Sequence, residues 1–109
     1  MSNASFTRYT VTVGLSFPEG SEFAGTSIPV ADARDWVVWA LEHWGLDGAT
    51  IRYTVGVWKG DTEDSLEIVV LSQDEADESR VRSLAVSYKE TFQQQAVMLQ
   101  TETVPVDFI

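Results

Sequence analysis

The residues able to do chemistry in this sequence are few. His43 is the only histidine and there is no cysteine. A multi-histidine metal site within one chain, thiolate ligands, disulfides and a thiol nucleophile are therefore excluded. We expect no metal and no cofactor. The run from Asp61 to Glu78 holds eight carboxylates and no Lys or Arg. It lacks the spacing, the sixth-position glycine and the closing glutamate of a calcium loop. It reads as a charged turn followed by a helix start, while regularly spaced carboxylates could also imitate nucleic-acid phosphates. His43 follows Trp39 by four residues, which would place a general base beside an aromatic wall. Its place two residues before Gly45 favours a helix-end imidazole facing the last carbonyls instead. Four tryptophans are present. Trp36 and Trp44 suit the core, whereas Trp39 and Trp58 have no evident place there. Tryptophan is enriched at contact hot spots, so Trp39, His43, Arg52 and Trp58 form the candidate set for an interface or pocket. Tyr9, His43 and Arg52 are the polar groups an enzyme pocket would use. No catalytic residue is assigned, and no phosphate-binding loop, dinucleotide fingerprint, nucleophile elbow or zinc-protease motif occurs.

The elements that must position these residues follow from periodicity. Residues 1–5 have no basic or apolar stretch and do not read as a secretory signal; they are set aside as a disordered or cloning-derived N-terminus, leaving 6–109 as one α+β domain. Residues 6–17 alternate strictly, with Tyr9, Val11, Val13, Leu15 and Phe17 on the core face. Residues 18–30 are rich in Gly, Ser and Pro and read as a long loop with its own packing. A helix runs from about Ala33 to Trp44, with Asp32 as N-cap and Gly45 just past its end. Its stripe is Ala33, Val37, Ala40, Leu41 and Trp44. Residues 49–58 and 65–72 form a hairpin around a turn at 59–64, and pairing Val57 with Leu66, Val55 with Ile68 and Tyr53 with Val70 gives a consistent register. Ser72 and Glu75 have the spacing of a capping box for a second helix, whose stripe is Val81, Leu84, Ala85, Tyr88 and Phe92. Residues 96–104 are the last strand, and Pro105 either ends it or marks a sheet edge.

The order βαββαβ predicts a ferredoxin-like fold: a four-stranded antiparallel sheet with two helices on one face. The opposite face, carrying Arg8, Thr10, Thr12, Gly14, Arg52, Thr54, Gly56, Trp58, Glu67, Val69 and Leu71, would have no helix on it. It is either solvated or a contact face for a second copy or a ligand.

The segment Tyr88-Lys89-Glu90-Thr91-Phe92-Gln93-Gln94-Gln95-Ala96-Val97 resembles a helix-to-strand motif, Tyr-Lys-x-x-Phe-x-Gln-x-x-Val, of a small bacterial α+β domain family of unknown function. A strand ending near Gly14, a Trp in the first helix, Gly56-Val57-Trp58 and a Glu in the following strand are similar in order. The resemblance implies the same domain layout and a bacterial or phage source, and brings no activity with it.

The formal net charge of −10 opposes binding to a phosphate backbone or an anionic membrane. No apolar run approaches the roughly 18–20 residues of a membrane-spanning helix. We therefore expect a cytoplasmic, non-catalytic binding or assembly domain, homo-oligomeric, in the simplest case a homodimer, through the open sheet face, with a protein partner possible. The alternatives are a cofactor-free enzyme of the dimeric split βαβ type and an acidic inhibitor that mimics nucleic acid.

Overall fold

The computed structural model describes residues 3–109, apart from the side chains of Asn3 and Trp58. The elements are β1 (Asn3–Gly14), α1 (Val30–His43), β2 (Thr50–Trp58), β3 (Asp61–Ser72), α2 (Asp77–Thr91) and β4 (Met98–Asp107). All neighbouring strands are antiparallel, in the order β2-β3-β1-β4. This is the ferredoxin-like arrangement, and the predicted fold class holds.

The alternation in the strands sets which face meets the helices. Val11, Val13, Leu66, Ile68 and Val70 are buried against Ala33, Val37 and Ala40 of α1 and Val81, Leu84 and Tyr88 of α2. Burying each of the larger side chains contributes about 1.5–3 kcal/mol. Tyr88 is wholly buried, and its hydroxyl donates to the Gly14 carbonyl at 2.7 Å. Phe92 and Trp36 pack on its ring at centroid distances of 4.5 and 5.4 Å. The segment between β1 and α1 has packing of its own, as expected: Leu15 and Ile28 are buried, Ser16 bridges to Ser27, and Phe17 meets Phe23.

Several boundaries differ from the sequence expectation. The hairpin pairs Tyr53 with Leu66, Val55 with Asp64 and Val57 with Thr62, a slip of four residues from the predicted register. The turn is only Lys59-Gly60, with φ of 49° and 85°. Positive φ at both positions is what a two-residue type I′ turn needs, and Gly60 supplies one at no steric cost. The acidic residues 61–64 are thus strand, not turn. They can be polar because the sheet outruns its helices: a 12-residue strand spans about 40 Å, whereas a 15-residue helix spans about 22 Å. At the hairpin end both sheet faces meet solvent, so Tyr53, Val55 and Val57 lie on the helix side yet are at least half exposed.

At the other end β1 begins at Asn3, and residues 3–5 pair with Pro105–Asp107 of β4. These three residues are therefore strand and not a disordered N-terminus, while residues 1 and 2 lie outside the described residues. Pro105 sits within an edge strand, where a missing N–H is tolerated.

The helix starts also shift. Pro29, not Asp32, occupies the N-cap position of α1, and Asp32 lies in the first turn. Ser72 ends β3 instead of capping α2; its hydroxyl accepts from Asp74 N–H and donates to the Asp77 carboxylate. Asp74 accepts from Ala76 N–H, and that bond together with Arg80 holds its carboxyl below the usual range. Gly45 follows the C-cap Trp44, as predicted.

Candidate functional site

The predicted site residues do not converge. Trp39 is 54% exposed on the outside of α1, stacked on the His43 ring at 4.7 Å. His43 also meets Trp44 edge-on and lies in the last turn of the helix. Arg52 lies on the far side of the sheet, paired with Glu67 at 3.3 Å. Trp58 ends β2, but its side chain lies outside the described residues. Tyr9 is buried in the core, where desolvation, then Glu78 and Asp77, push its hydroxyl upward. The sheet thus separates His43 from Arg52, and these residues enclose no common pocket.

The acid-rich run is dispersed as well. Asp64 accepts from the Tyr53 hydroxyl, Asp74 and Asp77 pair with Arg80, Glu78 pairs with Arg82, and Glu67 pairs with Arg52. The carboxylates fall on two sheet faces and a helix start, so they form no continuous stripe of the kind a phosphate mimic needs.

What the tertiary structure does bring together lies on the helix-free face, at the hairpin end. The registers place rows of side chains across it: Met98, Thr12, Glu67 and Arg52 in one, and Gly14, Ser65 and Thr54 in the next. Beyond these, Gly56 faces Glu63. No helix covers Thr10 or Thr54, so the expected bare face is present. It is not greasy. Cross-strand pairs Arg8–Glu102 and Arg52–Glu67 span it, and its exposed apolar side chains include Leu71 and Met98.

Gly14 is the focus of this end. A methyl group there would meet Gln94 Oε1 at 2.7 Å and Glu63 Oε1 at 2.9 Å. The Gln94 side chain comes from the turn after α2, and its Nε2 donates to the carbonyls of Ser16 and Phe92, both at 3.0 Å. Those two bonds aim Oε1 over Gly14. Glu63 reaches the same glycine from β3, flanked on its other side by Gly56. Two oxygens, one of them a carboxylate, therefore overhang a floor without side chains. Among the described residues no cation pairs with Glu63, in contrast to Glu67 and Glu102. Two residues along β1 on this face, Thr12 Oγ1 is buried with no partner among the described residues.

The motif noted in the sequence has a physical meaning here. Tyr88 holds the Gly14 carbonyl from below the sheet, Phe92 packs on Tyr88, and Gln94 reaches round to the face above. Its glutamine is a site residue absent from the candidate set. The two oxygens nearest Gly14, Gln94 Oε1 and Glu63 Oε1, are both acceptors, so they suit a primary ammonium or another cationic donor. Among the described residues no cluster of three or more His, Asp or Glu could hold a metal, and no helix is long and apolar enough to cross a membrane.

This places the chain in a class: a small ferredoxin-type α+β domain with an acceptor-lined corner on its helix-free face. Solved structures share that fold. Phage SAM lyase in complex with S-methyl-5'-thioadenosine matches with a TM-score of 0.67 and 19% identity, over 93% of this chain and 88% of that one. The same lyase in its apo state matches at 0.66 and 19%, over 96% and 93%. CPII, a nitrogen regulatory PII-like protein from Thiomonas intermedia K12 bound to ADP, AMP and bicarbonate, matches at 0.57 and 13%, over 99% of both chains. No protein-family model and no curated protein matches the chain.

Proposed function

We propose that this chain is a homo-oligomeric ligand-binding domain that takes a cationic or neutral adenosine derivative at the Gly14 corner. The observation that carries the reading is the Glu63 carboxylate, with no cation paired to it among the described residues, beside Gln94 Oε1 over a bare glycine floor. Support for the adenosine class comes from two similarly folded proteins, one bound to S-methyl-5'-thioadenosine and the other to ADP and AMP. The net charge of −10 and the Glu63 carboxylate at Gly14 disfavour a polyphosphate. They favour S-adenosylmethionine, whose ammonium and sulfonium outweigh its carboxylate. Thr12, Thr54 and Gln100 supply further polar groups on the same face for a ribose and a base.

Titration calorimetry tests the order of affinities. S-adenosylmethionine should bind more tightly than S-methyl-5'-thioadenosine, and ADP most weakly. Glu63→Gln should weaken S-adenosylmethionine about tenfold or more while leaving the neutral thioether nearly unchanged, since it removes one charge-assisted contact. Tightest binding of ADP, or no binding of any of the three at millimolar concentration, would refute the reading.

The oligomer rests on a different observation. Tyr53, Val55 and Val57 form an exposed row at the sheet end that the helices do not reach. A second copy covering that row would lie on the helix side of the sheet, the face opposite Glu63 and the Gly14 corner. Light scattering should show an assembly larger than one chain, and Val57→Asp should return it to a monomer. A monomeric wild type at high concentration contradicts this part.

The likeness to a lyase favours a second reading, in which the corner also breaks its ligand down. Chromatography of S-adenosylmethionine incubated with the protein would show released S-methyl-5'-thioadenosine in that case.

A further inference from the structure

The helix side of the sheet carries a second concavity, between α2 and the edge strand β4. Arg82, Ala85, Val86 and Lys89 are spaced i, i+3, i+4 and i+7 and so form one stripe along α2. Val97, just before β4, and Leu99, at its start, face them, and together these residues line a groove of about 310 Å³. That lies at the lower end of small-molecule sites, roughly 300–1,000 Å³. Its floor is apolar: Ala85 is buried, and Val97 and Leu99 pack on the core. Its two ends are basic, about 10 Å apart along the helix axis.

The charges make the groove unusual for this chain. Only 7 Lys and Arg stand against 17 Asp and Glu, yet two of the seven bracket one apolar groove. Among the described residues Arg82 pairs with Glu78 alone, at 3.4 Å and with both side chains exposed, a pairing of little energy that an incoming anion can replace. Lys89 has no ion pair among the described residues. The net charge of −10 disfavours anions in general, so an anion with an apolar tail is best received where Arg82 and Lys89 flank an apolar floor.

We propose that the α2–β4 groove binds a small anionic amphiphile, an acyl or aryl carboxylate whose tail lies on Ala85, Val97 and Leu99 and whose head meets Lys89 or Arg82. The groove is on the opposite sheet face from the Gly14 corner and does not depend on it.

Octanoate, 1-octanol and octyltrimethylammonium, each titrated into the ¹⁵N-labelled full chain, test this. Octanoate should shift the amides of residues 82–89 and 96–99 in a saturable way. The alcohol should bind several-fold more weakly, and the cation should leave these amides unmoved. Lys89→Glu should weaken octanoate about tenfold, and Lys89→Gln should weaken it less, with the amides of β2 and β3 unchanged in both. Equal binding of alcohol and carboxylate, shifts spread over the exposed Val38–Trp39 surface, or no saturable shift at low millimolar octanoate would each overturn the proposal.

Discussion

Tyr88→Ala is expected to remove about 3–5 kcal/mol of folding stability and to lower Tm by roughly 15–25 °C. The side chain is wholly buried between the sheet and both helices, with Trp36 and Phe92 against its ring. Truncation leaves a cavity that these neighbours cannot fill without leaving their own packing positions. It also strands the Gly14 carbonyl, which now accepts from the Tyr88 hydroxyl. Tyr88→Phe separates the two contributions. It keeps the ring, loses the hydrogen bond, and should cost about 1–2 kcal/mol. Urea denaturation of both variants measures the split. If the phenylalanine variant were as unstable as the alanine one, the hydrogen bond and not the ring would dominate. The phenylalanine variant should also loosen Gly14 beneath Glu63 and Gln94, and so weaken ligand binding at the corner even where folding survives.

The second large effect is a loss of stability in alkali. Burial pushes the Tyr88 hydroxyl well above its ordinary value, because the phenolate would lie in the apolar core and could no longer donate to Gly14. The unfolded chain releases this proton near pH 10, whereas the native chain keeps it. Above pH 10 the unfolded state therefore binds fewer protons, and stability falls as pH rises toward the native value. Below pH 10 the contribution is fully present. The slope from this one group is about 1.4 kcal/mol per pH unit. Tyr9, also raised by burial, adds a contribution of the same sign. Denaturation midpoints measured from pH 9 to 12 should fall steeply for the wild type and less steeply for Tyr88→Phe. Identical slopes would show that Tyr88 titrates normally and that its site opens in the native state.

The dispersal of the candidate set has a simple cause. Trp39 and Trp58 stand out in the sequence because they lack a place in the core, and His43 and Arg52 because they are polar groups a pocket could use, but neither ground brings residues together. Trp39 and His43 share a helix face and stack, as their spacing of four dictates. Arg52 belongs to the far side of the sheet and finds Glu67 across the ladder. The corner at Gly14 joins residues 14, 63 and 94, whose separation along the chain hides their meeting. One signal did point to it: the Tyr88–Phe92–Gln94 pattern, whose three side chains all act on the end of β1, directly or through one another.

The sequence by itself determined the sheet's two faces, the helix stripes and the βαββαβ order. These rest on periods of 2 and 3.6 residues, which are local and survive any even shift in strand pairing. A slip of four in the hairpin left Val11, Ile68 and Val55 on the predicted face, yet it moved Val55 and Val57 beyond the reach of the helices. Only the tertiary structure decided that slip, the pairing of residues 3–5 with β4, and the approach of Glu63 and Gln94 to Gly14. Each depends on which rows become neighbours and on the φ angles of a two-residue turn, quantities that no alternation of apolar and polar residues encodes.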